Sequence, residues 1–251
     1  MKLNLDVFFP PQMEGNKHYP ALVFFFGGGW TGGKKTQFKK HAQYFSKRGL
    51  VCFLADYRIK DIHGTNPTES LKDAKSAIRY IRENKDVFKI DENKVIAVGG
   101  SAGGQLAAAA ALIDSYNDDE IDNMSISCVP NGLVLFNPVI DNSPSGYGNE
   151  KLTVDYKTFS PIHNIREGAP PTIIFLGTND NLVSVETIKN YKAAMDEVGS
   201  KCDIHFYEGQ KHGFFNFSNF EYFKKTVTKA DEFLVTLGYL DNEPVVPIVE
   251  H

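Results

Sequence analysis

Seven short runs of apolar, β-branched or aromatic residues recur along the chain, and patterns of helical period separate most of them. The predicted strands are Leu5 to Phe9, Ala21 to Phe26, Val51 to Ala55, Lys94 to Val98, Gly132 to Phe136, Thr172 to Leu176 and Asp203 to Tyr207. The predicted helices are Lys39 to Arg48, Ser70 to Asn84, Gln105 to Ile113, Val185 to Val198 and Glu221 to Leu237. Several strands are continuously apolar, which is typical of strands buried on both faces of a parallel sheet. This order predicts a three-layer α/β sandwich, in which ligands bind beyond the carboxyl ends of the strands.

No linker, low-complexity tract or repeat divides the 251 residues, so we expect one catalytic α/β domain over 1–251, with a flexible tail at 244–251. A hydrophobic share of 42% and a charged share of 23% are ordinary for a soluble enzyme with a substantial core. The formal net charge of -4 argues against a nucleic-acid partner, because such proteins usually carry a basic face.

The cysteines and histidines lack the spacing of a metal site or a disulfide scaffold, so we expect no metal and no cofactor. The longest apolar stretch near the start, Ala21 to Phe26, is too short to span a bilayer. Met1 to Asn4 is not a signal peptide, and we expect no membrane partner. Localisation stays open, because removal of a signal would leave an exported or periplasmic protein, and the oligomeric state is open as well.

The stretch VGGSAGGQ contains a G-x-S-x-G motif, Gly99-x-Ser101-x-Gly103, between a predicted strand and a predicted helix. This is the setting of a nucleophile elbow, a strained strand-to-helix turn that needs small residues around its serine. The start of the following helix would direct the N–H of Ala102 toward the serine. The alternative is a Gly-rich turn that contains an incidental serine.

An acid and a histidine follow later strands in the order that such a serine requires. Asp180 comes just after the strand Thr172 to Leu176, and His212 comes in the turn after the strand Asp203 to Tyr207. An imidazole can remove the proton of a serine hydroxyl, and an acid can fix the tautomer of that imidazole. Ser101, His212 and Asp180 are therefore the predicted catalytic residues.

The Gly-rich stretch FFFGGGWTGGKK resembles two nucleotide-binding loops. Gly27-x-Gly29-x-x-Gly32 matches the dinucleotide fingerprint, although Trp30 puts a large ring where the backbone would approach a pyrophosphate. The match to a P-loop has Lys35 where a Ser or Thr would hold magnesium. A nucleotide-dependent oxidoreductase stays as an alternative of another class.

A Tyr-x-x-x-Lys pair, Tyr147 and Lys151, lies in a Gly-rich loop instead of a helix and does not support a dehydrogenase. The glycines have a third use, because consecutive glycines let backbone N–H groups point into a cleft and stabilise an oxyanion. That use requires a nucleophile nearby, as the elbow motif predicts.

The sequence resembles the α/β-hydrolase superfamily, and within it the bacterial carbohydrate esterases and acetylesterases related to feruloyl and acetyl-xylan esterases. The resemblance is carried by VFFFGGGWTGG, ADYR, VGGSAGG, FSPIHNI, APPTIIFLGTNDNLV and YEGQKHGFFN. It implies an α/β-hydrolase fold, a Ser-His-Asp triad and an acyl-enzyme. It also implies an oxyanion hole formed by the N–H groups of Gly28, Gly29 and Ala102.

Three features depart from related enzymes. Phe26 stands where the lipase-type H-G-G-G motif has histidine, and Ser184 stands where relatives often have proline. About twenty residues precede the strand that ends at Phe26, so we expect no large N-terminal cap and a more open active site.

The predicted function is removal of short acyl (acetyl) or aromatic acyl (feruloyl) groups from a small acylated carbohydrate or ester. Candidate substrate-binding residues are Trp30, Asn137 and Tyr147, because the stretch Asn137 to Ala169 is rich in polar and aromatic side chains that suit a sugar. The alternatives are a serine peptidase or lipase-like esterase of the same fold, or an inactive hydrolase fold used for binding.

Overall fold

The computed structural model describes residues 2–118, 120–241 and 247–249, and its centre is a seven-stranded sheet in the order β1-β3-β2-β4-β5-β6-β7. The strands are β1 (Leu5–Phe8), β2 (Tyr19–Phe25), β3 (Val51–Ala55), β4 (Ile90–Gly100), β5 (Gly132–Phe136), β6 (Thr172–Gly177) and β7 (Cys202–Tyr207). β1 is antiparallel to β3, and every other neighbouring pair is parallel. The carboxyl ends of β2 to β7 therefore lie at one edge of the sheet.

Helices cover both faces of the sheet. They are α1 (Lys39–Lys47), α2 (Lys60–His63), α3 (Pro67–Glu83), α4 (Lys85–Phe88), α5 (Ala102–Leu112), α6 (Tyr156–Phe159), α7 (Val185–Glu197) and α8 (Phe220–Thr236). Three short 3-10 turns lie at Lys35–Phe38, Asn149–Lys151 and Pro161–Asn164. α3, α5 and α7 pack on one face, and α1 and α8 pack on the other.

Each inner strand contributes to two apolar cores. In β2, Val23 and Phe25 belong to the core beneath α3, α5 and α7, while Leu22 and Phe24 belong to the core beneath α1 and α8. All four side chains are buried, which explains why the strand reads as a continuous apolar run. The predicted three-layer α/β sandwich with a mostly parallel sheet is confirmed.

The structure differs from the sequence prediction mainly at element ends and in short helices. β4 begins at Ile90 and not at Lys94, and α3 begins at Pro67, where the side chain of Asn66 caps the first turn. The four-residue helices α2, α4 and α6 were not predicted, because a single turn leaves no periodic pattern. Of the predicted tail, 244–246, 250 and 251 lie outside the described residues.

No helix in the described part of the chain is long and apolar enough to cross a bilayer. Cys52, Cys128 and Cys202 are buried free thiols.

His41 on α1 is an ionisable side chain enclosed by aromatic rings. It is fully buried, neither ring nitrogen has a hydrogen-bond partner among the described residues, and its ring packs edge-on against Phe38, Phe136 and Phe223. Burial lowers the pKa of His41 from 6.5 to about 3, because the interior disfavours the charged ring. Folding therefore requires a neutral His41, and the unfolded chain binds an extra proton at any pH between these two values.

We expect His41→Phe to reduce the acid sensitivity of the fold. In the wild type this residue should lower the free energy of unfolding by roughly 1.4 kcal/mol for each pH unit below about 6.5, down to about pH 3. Urea unfolding at pH 7 and pH 5 measures the difference, with His163→Phe at an exposed position as the matched control. An equal loss of stability in wild type and His41→Phe would contradict this role of His41.

Candidate active site

Ser101 lies in a tight turn between β4 and α5, with backbone angles φ 54° and ψ -119°. These angles are strained for a residue with a side chain. The turn closes only because its neighbours are glycines: a Cβ at Gly99 would lie 2.1 Å from the carbonyl oxygen of Gly103, and one at Gly103 would lie 2.0 Å from that of Phe25. The fold therefore presents the Ser101 hydroxyl at the carboxyl edge of the sheet.

The structure brings Ser101, His212 and Asp180 together in one hydrogen-bonded row. His212 Nε2 lies 2.9 Å from Ser101 Oγ, and His212 Nδ1 lies 2.8 Å from Asp180 Oδ2. The serine follows β4, the acid follows β6 and the histidine follows β7, so three separate loops converge at the same edge. The Ser101 hydroxyl can donate to the Nε2 lone pair while Nδ1–H donates to the carboxylate.

Backbone N–H groups hold the Asp180 carboxylate in place. Its Oδ1 accepts from the N–H groups of Leu182 at 2.8 Å and Val183 at 3.0 Å, which leaves Oδ2 for His212. The side chain of Asp180 is 0% exposed and that of His212 is 18% exposed. The acid is thus sealed from water, while the imidazole reaches the cleft.

The Gly-rich loop after β2 lies close to Ser101, since a Cβ at Gly27 would be 3.3 Å from Ser101 Cβ. The carbonyl oxygen of Gly28 accepts from the N–H groups of Thr31 and Gly32, both at 3.1 Å, which fixes the Gly28–Gly29 peptide. Among the loop and cap hydrogen bonds of the described residues, none has the backbone N–H of Gly28, Gly29 or Ala102 as its donor.

Tyr147 and Lys151 support this loop from outside. Lys151 Nζ lies 3.3 Å from the carbonyl oxygen of Gly29 and 3.0 Å from the hydroxyl of Tyr147, with the Tyr147 ring 4.6 Å below the ammonium group. Lys151 lies in a 3-10 turn and Tyr147 lies in the loop before it, so the pair does not have the helical setting of a dehydrogenase Tyr-x-x-x-Lys pair. Tyr147 is half-buried and also lines a cavity beside the site.

Two residues predicted to bind substrate are buried instead. Trp30 is 1% exposed, and its ring packs against Phe159 and Tyr147 beneath the cleft. Asn137 is 0% exposed, and its amide contacts the loop that carries His212. Trp30 nevertheless borders the cleft along Gly29, so it stays a candidate contact there. Polar and aromatic character alone does not separate a cleft wall from the layer behind it.

Sequence reasoning also missed a chain of side-chain amides that joins the two halves of the site. Gln37 Oε1 accepts from the N–H of Gly27 at 2.7 Å, and Gln37 Nε2 donates to Asn216 Oδ1 at 2.9 Å. Asn216 Nδ2 donates in turn to the carbonyl oxygen of Gly213, next to His212, at 2.7 Å. Partners 179 residues apart in sequence leave no local signal that could have revealed this link.

The residues that resembled a nucleotide site have other partners. Lys35 binds the carboxylates of Asp6 at 2.9 Å and Asp56 at 3.0 Å, which raises the pKa of its ammonium group against the opposing effect of burial. In the described residues, no cluster of three or more His, Cys, Asp or Glu side chains could hold a metal ion.

The structure is similar to solved structures of one esterase. The propionate-bound esterase Est2 of Thermogutta terrifontis superposes with a TM-score of 0.92 and 39% sequence identity, over 97% of this chain and 93% of that chain. The same enzyme phosphorylated by paraoxon superposes with a TM-score of 0.91 and 40% identity, over 97% of this chain and 92% of that chain.

Curated relatives are more distant and longer. The acetylxylan esterase of Xylanibacter ruminicola is 28% identical over 85% of this chain and 44% of that protein. The esterase LipC of Mycobacterium tuberculosis is 27% identical over 84% of this chain and 56% of that protein. The chain thus spans about half the length of the curated relatives it matches.

Family models cover most of the chain. Residues 134–237 match the dienelactone hydrolase family, and residues 5–145 match the BD-FAE family, which is more than half of the chain. The chain therefore belongs to the BD-FAE family, and the region that it spans is a serine carboxylic-ester hydrolase of the α/β-hydrolase fold.

Proposed function

We propose that the protein removes short acyl groups from carbohydrate through a triad of Ser101, His212 and Asp180. As Ser101 Oγ bonds to the ester carbonyl carbon, its proton passes to His212 Nε2, and the carbonyl oxygen becomes an oxyanion. The proton then passes from Nε2 to the alcohol oxygen as the C–O bond breaks, which leaves an acyl-enzyme. Water repeats the sequence and frees the acid. The observation that carries this proposal is the hydrogen-bonded row from Ser101 Oγ to Asp180 Oδ2.

The oxyanion is assigned to the N–H groups of Gly28, Gly29 and Ala102. Ala102 is the first residue of α5, whose dipole and unpaired N–H groups favour a negative charge at that end. Donors fixed before the reaction lower its barrier because they need no reorganisation when charge develops. The Lys151 contact to the Gly29 carbonyl supports this assignment by holding the loop.

The surroundings of the site support a polar leaving group. A cavity of about 230 Å³ borders Asp180 and carries the polar side chains of Asp141, Ser145, Asn181 and Thr187. A larger cleft of about 830 Å³ runs along Gly29. Its polar lining includes Lys60, Asn66, Glu69, Glu150 and Lys151. Hydroxyl-rich sugars can form hydrogen bonds with such walls, whereas a fatty chain cannot.

We expect Ser101→Ala to abolish ester hydrolysis, with a loss in kcat on the order of a thousandfold or more, because the attacking oxygen is gone. The melting temperature should stay close to that of the wild type. A fluorophosphonate probe followed by mass spectrometry should label wild-type Ser101, and Ser76→Ala on α3 serves as the control variant. Labelling at another residue, or more than a tenth of the activity in folded Ser101→Ala, would remove Ser101 from this role.

We expect Gly29→Ala to lower kcat by about 100-fold with little change in KM. Misaligned N–H groups would stabilise the oxyanion less, while binding of the substrate would stay the same. Gly29 has φ +63°, and a Cβ there would lie 2.7 Å from the Tyr147 hydroxyl. Gly168→Ala is the matched control, since Gly168 has φ +81° with open space around it. A kcat within threefold of wild type in folded Gly29→Ala would refute the assignment.

The acyl and sugar preference is tested with acetyl, butanoyl and octanoyl esters of one leaving group, and then with acylated oligosaccharides. We expect kcat/KM to fall as the acyl chain lengthens, and acetate or ferulate to be released from the oligosaccharides. A preference for octanoyl with no release from any acylated sugar would favour a lipase-like esterase and leave the triad untouched.

A further inference from the structure

Asn137 occupies an unusual backbone position at the end of β5. It has φ 35°, in the left-handed region that asparagine tolerates better than most residues. Its N–H donates to the carbonyl oxygen of Phe175 at 2.7 Å, and its side chain is fully buried. The backbone thus aims a short polar side chain behind His212.

The side-chain contacts of Asn137 fix which end of its amide faces His212. Oδ1 accepts from the N–H of Gly213 at 3.0 Å, and an N–H group requires an oxygen there. The Nδ2 end therefore faces His212 Nε2, at 3.2 Å. This nitrogen of the imidazole is the one that also meets Ser101 Oγ.

We propose that Asn137 is a positioning residue. Its amide holds the His212 ring toward Ser101 and offers no acceptor to a proton on His212 Nε2. Before the reaction, the single Nε2 lone pair faces two donors, the Ser101 hydroxyl at 2.9 Å and the Asn137 amide N–H at 3.2 Å, which share it. After Nε2 has taken the serine proton, the amide nitrogen cannot accept it, so the proton can leave only toward Ser101 or the alcohol oxygen. The inference rests on the proposed triad.

Few ionisable groups surround the His212 imidazole, so the contact with Asn137 should have a measurable effect on it. Among the described residues, Asp180 is the only ionisable partner within hydrogen-bond distance of the imidazole, and it meets the opposite nitrogen. Lys211 precedes His212 in sequence but is exposed. On the other side of the sheet, the rings of Phe136 and Phe215 pack against His41, whose pKa of about 3 keeps it uncharged.

Asn137→Asp is the sharpest test, because a carboxylate keeps the shape and the Gly213 contact while placing an acceptor behind Nε2. It should trap the imidazolium, so the acidic limb of the kcat/KM–pH profile should move upward by about one pH unit or more, with activity recovering at alkaline pH. Asn137→Gly relieves the backbone and removes the donor. Its acidic limb should move upward by about half a unit, with KM unchanged.

Asn142→Asp is the matched control, because Asn142 is fully buried in the same segment and its amide donates to the carbonyl oxygen of Tyr147 and not to His212. It should lose thermal stability without moving the acidic limb. Ser101→Ala is measured alongside: if it retains activity, the proposed triad itself fails. If Ser101→Ala is inactive but the limb of Asn137→Gly, or of folded Asn137→Asp, stays at the wild-type position, Asn137 is only a structural residue and the inference is wrong.

Discussion

The geometry of the site depends on how the peptide groups around Ser101 are clamped. The Ser101 N–H donates to the carbonyl oxygen of Phe136 at 2.9 Å, and its own carbonyl accepts from Gln105 and Val139, both at 3.1 Å. A strained residue of this kind costs about 1 to 3 kcal/mol and persists only where the surroundings hold it. Here the end of β5 and the first turn of α5 hold both sides, so the hydroxyl of the half-buried serine stays next to His212 while the backbone beneath it cannot relax.

The same clamp links Ser101 to His212. β5 ends at Phe136, and the next residue, Asn137, reaches the loop of His212. On the opposite side, Gln37 and Asn216 join the Gly-rich loop after β2 to that same loop. Buried polar networks hold a structure in one arrangement when every member is satisfied. Displacing one loop would therefore break contacts in the others, which keeps Ser101, His212 and the Gly-rich loop in a fixed relative position.

Local patterns in the sequence were sufficient for the fold and for where the three principal side chains lie. Continuous apolar runs marked buried parallel strands, and the order of residues after those strands brought Ser101, Asp180 and His212 to one edge. The amides that orient them were not predictable. The sequence indicated Asn137 as a substrate contact, whereas its side chain is fully buried. A polar residue directly after a strand is expected near the site, but the sequence does not tell whether its side chain lines the cleft or lies behind it.

The segment between β5 and β6 has two tasks that the sequence alone could not separate. Its first residue, Asn137, contacts His212, and Lys151 farther along contacts the carbonyl of Gly29. Between them, Asp141, Ser145 and Tyr147 line the polar cavity beside Asp180. Because one stretch of chain forms a cavity wall and also contacts His212 and the carbonyl of Gly29, the proposed function predicts that exchanging it to alter substrate preference would change the turnover rate as well. Under the proposed function, substrate selectivity and catalytic geometry are therefore coupled, because the same segment contributes to both. Single substitutions of cavity-facing side chains would separate the two effects better than exchange of the whole segment.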